Sequence, residues 1–236
     1  MYKYIRSVLA RRTFAHKLRN KAMNTFSSYE IFKSIREKQE QNRQTEKRPH
    51  EVLYFHKVDD PYSHLTVQYL DKLKDSYDIV LKPILVGEEN PETLHEPSLY
   101  NKYCLEDVRR IATYYQIEFT ADSYPLKNLV DLANSILSSV EEENFNNIAR
   151  DVSSAVWNSD EEKLKEISSK YSASEDEVNK KLSEGNEIRN ECDYYFGSAV
   201  YYEKELYWGV DRLNHLEARL SELGAKKTLS NELICN

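Results

Sequence analysis

Several absences bound what this chain can be. No stretch approaches the roughly 18 consecutive apolar residues of a membrane-spanning helix, which excludes a transmembrane segment. The three cysteines, Cys104, Cys192 and Cys235, are far apart and match neither a C-x-x-C pair nor a zinc-finger spacing. They read as ordinary reduced thiols of a cytoplasmic protein. No apolar core long enough for a secretory signal occurs near the start of the sequence. There is also no Gly-rich phosphate loop, no nucleophile elbow and no pair of histidines on one helical face. Among acidic residues, none precedes Glu30.

What is present is a soluble composition, 40% apolar and 31% charged over 236 residues, enough for one large domain or a domain with a sizeable insertion. Charge is unevenly spread. Residues 1–50 carry 13 Lys and Arg against 4 Glu, a net +9, so the remainder carries −16 of the overall −7. In the basic stretch Tyr4, Ile5, Val8, Leu9, Phe14 and Leu18 fall loosely at helical spacing. Three readings stand: a helical arm packing on the domain or a partner domain, a contact with a membrane surface or nucleic acid, or an organelle transit peptide. The first carries the expectation, so nucleic acid is not an expected partner.

From Glu40 to His50 the composition offers almost nothing to bury and reads as a linker. Val52-Leu53-Tyr54-Phe55 is a short apolar run that predicts a buried strand. Leu65, Tyr69, Leu70 and Leu73 recur at helical spacing after Pro61, and residues 79–86 predict a second strand. Strand, helix, strand at this spacing is a right-handed βαβ unit with parallel strands. Residues 98–195, almost devoid of Gly and Pro, predict four to five helices. Their faces run through Leu105, Val108, Ile111, Ala112 and Tyr115, then Leu129 to Leu137, then Ile148 to Val156, then Leu164 and Ile167, then Val178 and Leu182. Ser174 and Glu177 have capping-box spacing. Val200 to Trp208 predicts a hairpin turning at Glu203-Lys204, without the preferred Asn-Gly. Asp211 is expected to cap a last helix ending at Gly224. The order β-α-β, helical block, β-β-α predicts an α/β thioredoxin-like fold with an all-helical insertion. The division is a basic arm and linker (1–50), a core (51–97 and 196–224), an insertion (98–195) and a tail (225–236).

The most informative stretch is Asp59-Asp60-Pro61-Tyr62-Ser63, at the junction of the first strand and its helix. Tyr54-Phe55 through Asp60-Pro61-Tyr62-Ser63-His64-Leu65, and Phe196-Gly197 through Trp208-Gly209-Val210-Asp211-Arg212-Leu213, carry a resemblance. Tyr103 through Phe119 adds a weaker match. Over residues 51–224 the chain resembles the family of 2-hydroxychromene-2-carboxylate isomerases, kappa-class glutathione transferases and DsbA-like oxidoreductases. The resemblance implies glutathione as cofactor and a small-molecule thiol or electrophilic substrate. It places the reacting group at Asp60, where the family has Ser or Cys, with Ser63 as the fourth residue of the tetrad. Ser198 and Ala199 fall at the family's cis-proline, and Asp211 and Arg212 at the motif that holds the ligand's γ-glutamyl end.

The departures matter as much. Asp60 reads as an N-cap, with Pro61 at the first helical position. A carboxylate there repels a thiolate, and the alternative is a changed chemistry in which Asp60 acts as a base or binds a cationic group. Neither Ser198 nor Ala199 is proline, so a trans peptide is expected. Asp211 reads equally as ligand contact or helix cap, with Arg212 paired to nearby carboxylates. The loop Gly87-Glu88-Glu89-Asn90-Pro91 lacks the family's usual glycine pair. A disulfide oxidoreductase needs two thiols that this corner lacks. His56, Asp59, Asp60 and His64 lie within nine residues, but one histidine leaves a strand and the other is on a helix, so no metal is expected. Two functions remain: a glutathione- or thiol-dependent isomerase or transferase, and a non-catalytic thioredoxin-like module or part of a larger protein that binds a partner domain, a peptide or a second copy.

Overall fold

A computed structural model of the chain describes residues 14–24, 28–87 and 96–228. It divides into two compact units, Met1–Pro49 and His50–Asn236. The first contains helix α1, residues 14–24, and helix α2, Tyr29–Thr45. Ser28 caps α2 by accepting from the Ile31 N–H at 3.4 Å. The helix runs through the first half of the segment that reads as a linker. Glu, Gln, Lys and Arg are good helix formers, and Arg43 grips Glu40 through two hydrogen bonds of 2.9 and 2.7 Å one turn apart. α2 buries no residue. Of the apolar positions in the basic stretch, Tyr4, Ile5, Val8 and Leu9 lie outside the described residues.

The second unit is built on four strands: β1 (Glu51–His56), β2 (Val80–Leu85), β3 (Ala199–Tyr202) and β4 (Glu205–Trp208). Their order in the sheet is β2-β1-β3-β4, with β1 and β2 parallel and the other pairs antiparallel. Helix α3 (Pro61–Ser76) makes the crossover between β1 and β2. Pro83, which can donate nothing to a ladder, sits on the edge strand opposite Tyr54. The hairpin turns at Glu203 and Lys204 with φ of 44° and 66°. Both central residues thus adopt the left-handed conformation that a two-residue turn of the right twist requires, without a glycine to ease it.

Alternation along the strands sorts two cores. Val52, Tyr54, Val200 and Tyr202 face the large one, with Leu65, Leu70 and Leu73 of α3. Phe55 and Ala199 face a smaller one with Val86, flanked by Leu53, Ile84 and Tyr201. Five helices form the insertion among the described residues: α4 (Pro97–Tyr115), α5 (Lys127–Ser138), α6 (Glu142–Trp157), α7 (Glu161–Ser168) and α8 (Glu175–Glu191). Val108, Ala112, Leu129, Ala133, Ile136, Val152, Val156 and Leu164 merge into the large core. The Ser174–Glu177 capping box is formed at the start of α8.

Two expectations change. Asp211 does not cap the last helix. A 3-10 turn, Val210–Arg212, intervenes, and α9 (Leu213–Glu222) starts from Arg212 with no side-chain cap. The turn closes through the Arg212 N–H to the Gly209 carbonyl, so Asp211 is inside it rather than ahead of it. The segment read as a tail also begins docked: Ala225 is buried, its carbonyl accepts from Asp78, and Lys226 bridges Tyr77. No helix among the described residues is long and apolar enough to cross a membrane.

α8 lies so close to β2 that a Cβ at Gly185 would stand 1.9 Å from the Leu85 carbonyl oxygen. Backbone cannot yield as a flexible side chain can, so Gly185→Ala is expected to destabilise the second unit by about 1–3 kcal/mol despite its better helix propensity. Denaturant unfolding monitored through Trp157 and Trp208 reads the change, and an unaltered midpoint would mean that α8 can slide off β2 at little cost.

Candidate functional site

The corner is assembled where β1 hands over to α3. Asp60 has extended backbone geometry (φ −94°, ψ 117°), and its carboxylate turns onto the first turn of the helix. Oδ1 accepts from the Tyr62 N–H at 3.2 Å, and Oδ2 from the Ser63 N–H at 3.0 Å and the Ser63 hydroxyl at 2.8 Å. Ser63 is fully buried, and its Oγ also accepts from the Lys57 N–H at 3.2 Å. The four orphan N–H groups of a helix start form a ready anion site. Here the protein's own carboxylate occupies it.

The loop before β3 closes over this arrangement. A Cβ at Gly197 would lie 2.8 Å from Asp60 Oδ2 and 2.7 Å from Lys57 Cβ, so only glycine fits there. Ser198 is fully buried with φ 55°, and its hydroxyl pairs with Thr66 Oγ1 of α3 at 2.7 Å. No cis peptide bond occurs among the described residues. The Ser198 carbonyl accepts from the Gly209 N–H at 2.9 Å. Ala199 is committed to the small core, paired in register with Phe55 and Trp208. Asp60, Ser63 and Ser198 are therefore brought together through α3.

Asp211 and Arg212 belong to the neighbouring 3-10 turn. Arg212 Nε lies 4.0 Å from Asp211 Oδ2, and the Tyr115 hydroxyl donates to the Asp211 carbonyl at 3.5 Å. Gly209 (φ 80°) links this turn to the corner, since a Cβ on it would sit 2.8 Å from Asp211 Oδ1 and 3.8 Å from the Tyr62 ring. The closing motif thus packs against the corner through Tyr62 and Trp208, whose rings are 5.1 Å apart.

Two features carry no sequence signal. On α4, Cys104 is buried beside the hydroxyls of Tyr100, Tyr62 and Tyr124. Burial pushes this thiol up, Tyr100 partly offsets the shift, and the nearby Asp60 charge reinforces it, so it stays protonated and unreactive at neutral pH. Tyr62 donates to Asp107 at 2.8 Å. Burial and that carboxylate hold its phenol well above the usual range. The second feature is a cleft of about 720 Å³ beside the corner, reaching Lys57, Asp59, Lys127, Asp131, Asn134 and Glu175, with Val86 and Gly87 at the end of β2. Lys57 pairs with Asp59 at 3.2 Å and Lys127 with Asp131 at 2.8 Å. Asn134 Oδ1 is buried with no hydrogen-bond partner. These residues come from a loop and two helices far apart in sequence, and on α5 they look like an ordinary solvated face. The loop from Glu88 to Pro91 lies outside the described residues. No group of three metal-ligating side chains exists among the described residues.

No family model matches the sequence, and no curated protein matches it. Among solved structures, the chain is similar to a 2-hydroxychromene-2-carboxylate isomerase, with a TM-score of 0.56 and 21% identity over 74% of this chain and 96% of that one. It is also similar to a candidate protein disulfide isomerase from Nitrosomonas europaea, with a TM-score of 0.56 and 15% identity over the same shares, 74% and 96%. At these identities the likeness is one of fold: a thioredoxin-like core with a helical insertion.

The corner is braced by buried histidines. The Tyr54 hydroxyl donates to the Ser63 carbonyl at 3.0 Å and meets His56 Nδ1 at 2.8 Å. With the phenol proton used on the carbonyl, His56 carries its own proton on Nδ1, and its buried Nε2 has no partner. Burial, helped by the neighbouring His64, lowers His56 to about 3; burial lowers His64 to about 4, a backbone contact at Glu118 partly opposing it. Both rings are neutral in the fold, whereas the unfolded chain protonates them below pH 6.5. Unfolding therefore takes up two protons, and stability is expected to fall as pH drops from about 6.5 towards 4, by about 2–4 kcal/mol between pH 7 and pH 5. Urea unfolding across this range checks it, with His56→Phe flattening the slope by about one proton; a slope unchanged in His56→Phe would show that the ring already takes up its proton in the folded state.

Proposed function

We propose that this protein is a thioredoxin-fold binding module in which the corner serves structure rather than thiol chemistry, and that ligand recognition has moved to the adjoining cleft. One observation carries this reading: the Asp60 carboxylate accepts both first-turn N–H groups and the Ser63 hydroxyl. A thiolate arriving at α3 would meet a negative charge instead of donors, and an ionised carboxylate has no proton to give it. The neighbouring Cys104 thiol, buried and protonated, does not replace the missing nucleophile. The cleft offers two lysines, three carboxylates and the Asn134 amide, which suits a small zwitterion or a peptide segment carrying both signs of charge.

A second reading is a glutathione-dependent isomerase or transferase. The solved isomerase of similar fold favours it, as does a cleft large enough for a tripeptide next to the corner. In this reading Asp60 would act as a base and Asp211 would hold the ligand's amino end.

Calorimetric titration with reduced glutathione separates the two. The module reading expects no saturable heat at millimolar ligand from the wild-type protein. Asp60→Ser keeps a competent cap, so stability should change by less than about 1 kcal/mol, while removing the negative charge from the helix end should make binding measurable. Micromolar binding by the wild-type protein that is lost in Asp211→Ala would establish the second reading. Insulin reduction in the presence of dithiothreitol should proceed at the uncatalysed rate, and a clear acceleration would end the module reading.

A further inference from the structure

The corner and the cleft are both built from residues of the second unit. Residues 1–29 contain seven Lys and Arg and no Asp or Glu. Every described residue of α1 is exposed, and Phe14 and Leu18, 68% and 59% exposed, stand four apart on one face. Ala15 and Ala22 extend that apolar stripe. At 3.6 residues per turn, Lys17 and Arg19 stand about 100° to either side of Leu18, so positive charge borders the stripe on both flanks. α2 likewise buries nothing and exposes Tyr29, Phe32 and Ile35. The Arg36 guanidinium lies 4.2 Å from the centre of the Phe32 ring. Among the described residues of α1 no apolar side chain is buried, so the Phe14–Leu18 stripe is left for a surface to cover.

We propose that α1 docks in the plane of an anionic membrane surface, its Phe14–Leu18 stripe entering the acyl boundary and its flanking basic side chains meeting lipid phosphates. The arrangement fits this occupant on both counts, apolar area and charge. A nucleic-acid backbone would satisfy the charge alone and leave Phe14 and Leu18 in water, because phosphate contacts use the basic side chains only.

The test is flotation of the full chain with vesicles of phosphatidylcholine containing about one third phosphatidylglycerol, against pure phosphatidylcholine vesicles. The expected result is association at least about tenfold stronger with the anionic vesicles, weakened by raising salt from about 50 to 300 mM. Leu18→Glu should abolish it, as should Lys17→Glu combined with Arg19→Glu, with far-UV circular dichroism of the His50–Asn236 core unchanged in both. Equal association with neutral vesicles, no association, or undiminished association in Leu18→Glu would overturn the proposal. So would tighter binding to a DNA duplex than to the anionic vesicles at the same salt.

Discussion

Everything at the corner depends on the contact between the Asp60 carboxylate and the N-terminus of α3. It starts the crossover helix and packs against the loop before β3, two tasks met by one side chain. Capping by a carboxylate contributes about 1 kcal/mol, with the helix dipole adding to it. Its wider effect is geometric. With Oδ2 engaged by Ser63, the space beside it admits only the bare backbone of Gly197, and this in turn fixes where Ser198 and β3 begin. The buried Thr66–Ser198 and Tyr54–Ser63 hydrogen bonds then tie α3 to both central strands. A buried polar group is costly without a partner, and these pairings give Ser63 and Thr66 structural reasons to be polar.

The fold was legible because its signals are local. The short apolar run Val52–Phe55, helical spacing in α3 and the insertion, and Pro61 after a capping residue each depend on a few neighbours in sequence. The cap itself was legible for the same reason. The cleft was not: Lys57, Asn134 and Glu175 meet only after the insertion has folded over the end of β2. Cys104 read as an ordinary reduced thiol, and nothing in the chain announced three tyrosine hydroxyls around it. Local reading also erred where two local signals compete. Asp211 precedes a helical pattern and so resembles a cap, but the left-handed Gly209 opens a 3-10 turn that takes the position. In the same way, polar Glu40–Thr45 looked unable to bury anything, which is true, yet ion pairing along the helix lets it continue without burial.

The family resemblance and the residue chemistry point in different directions, and the structure shows why they can coexist. The likeness to the two solved neighbours lies in the path of the backbone, which the buried apolar faces specify. Activity in such an architecture lies in a few atoms at the helix end and in the loop opposite. Replacing a neutral or thiol side chain by a carboxylate leaves the backbone path undisturbed, since Asp caps a helix as well as Ser does. A fold can thus keep its whole framework while the donors that would act on a substrate become internal hydrogen bonds.

The loop before β3 differs from an open binding edge as well. Ser198 turns through a left-handed conformation on a trans peptide, and its carbonyl is taken by the Gly209 N–H. An extended substrate segment pairing at that loop would compete with this bond for the carbonyl, and losing it would leave the Gly209 N–H without a partner at a cost of about 1–3 kcal/mol. Exposing the donors of α3 would therefore restore attraction for an anion but not a platform for thiol exchange, because attraction resides in the helix and alignment in the loop. In this structure the helix end is filled by the Asp60 carboxylate and the loop carbonyl is bonded internally, two separate arrangements. The cleft beside Lys57 and Asn134 is lined by neither the Asp60 carboxylate nor the Ser198 carbonyl, so its shape is independent of both.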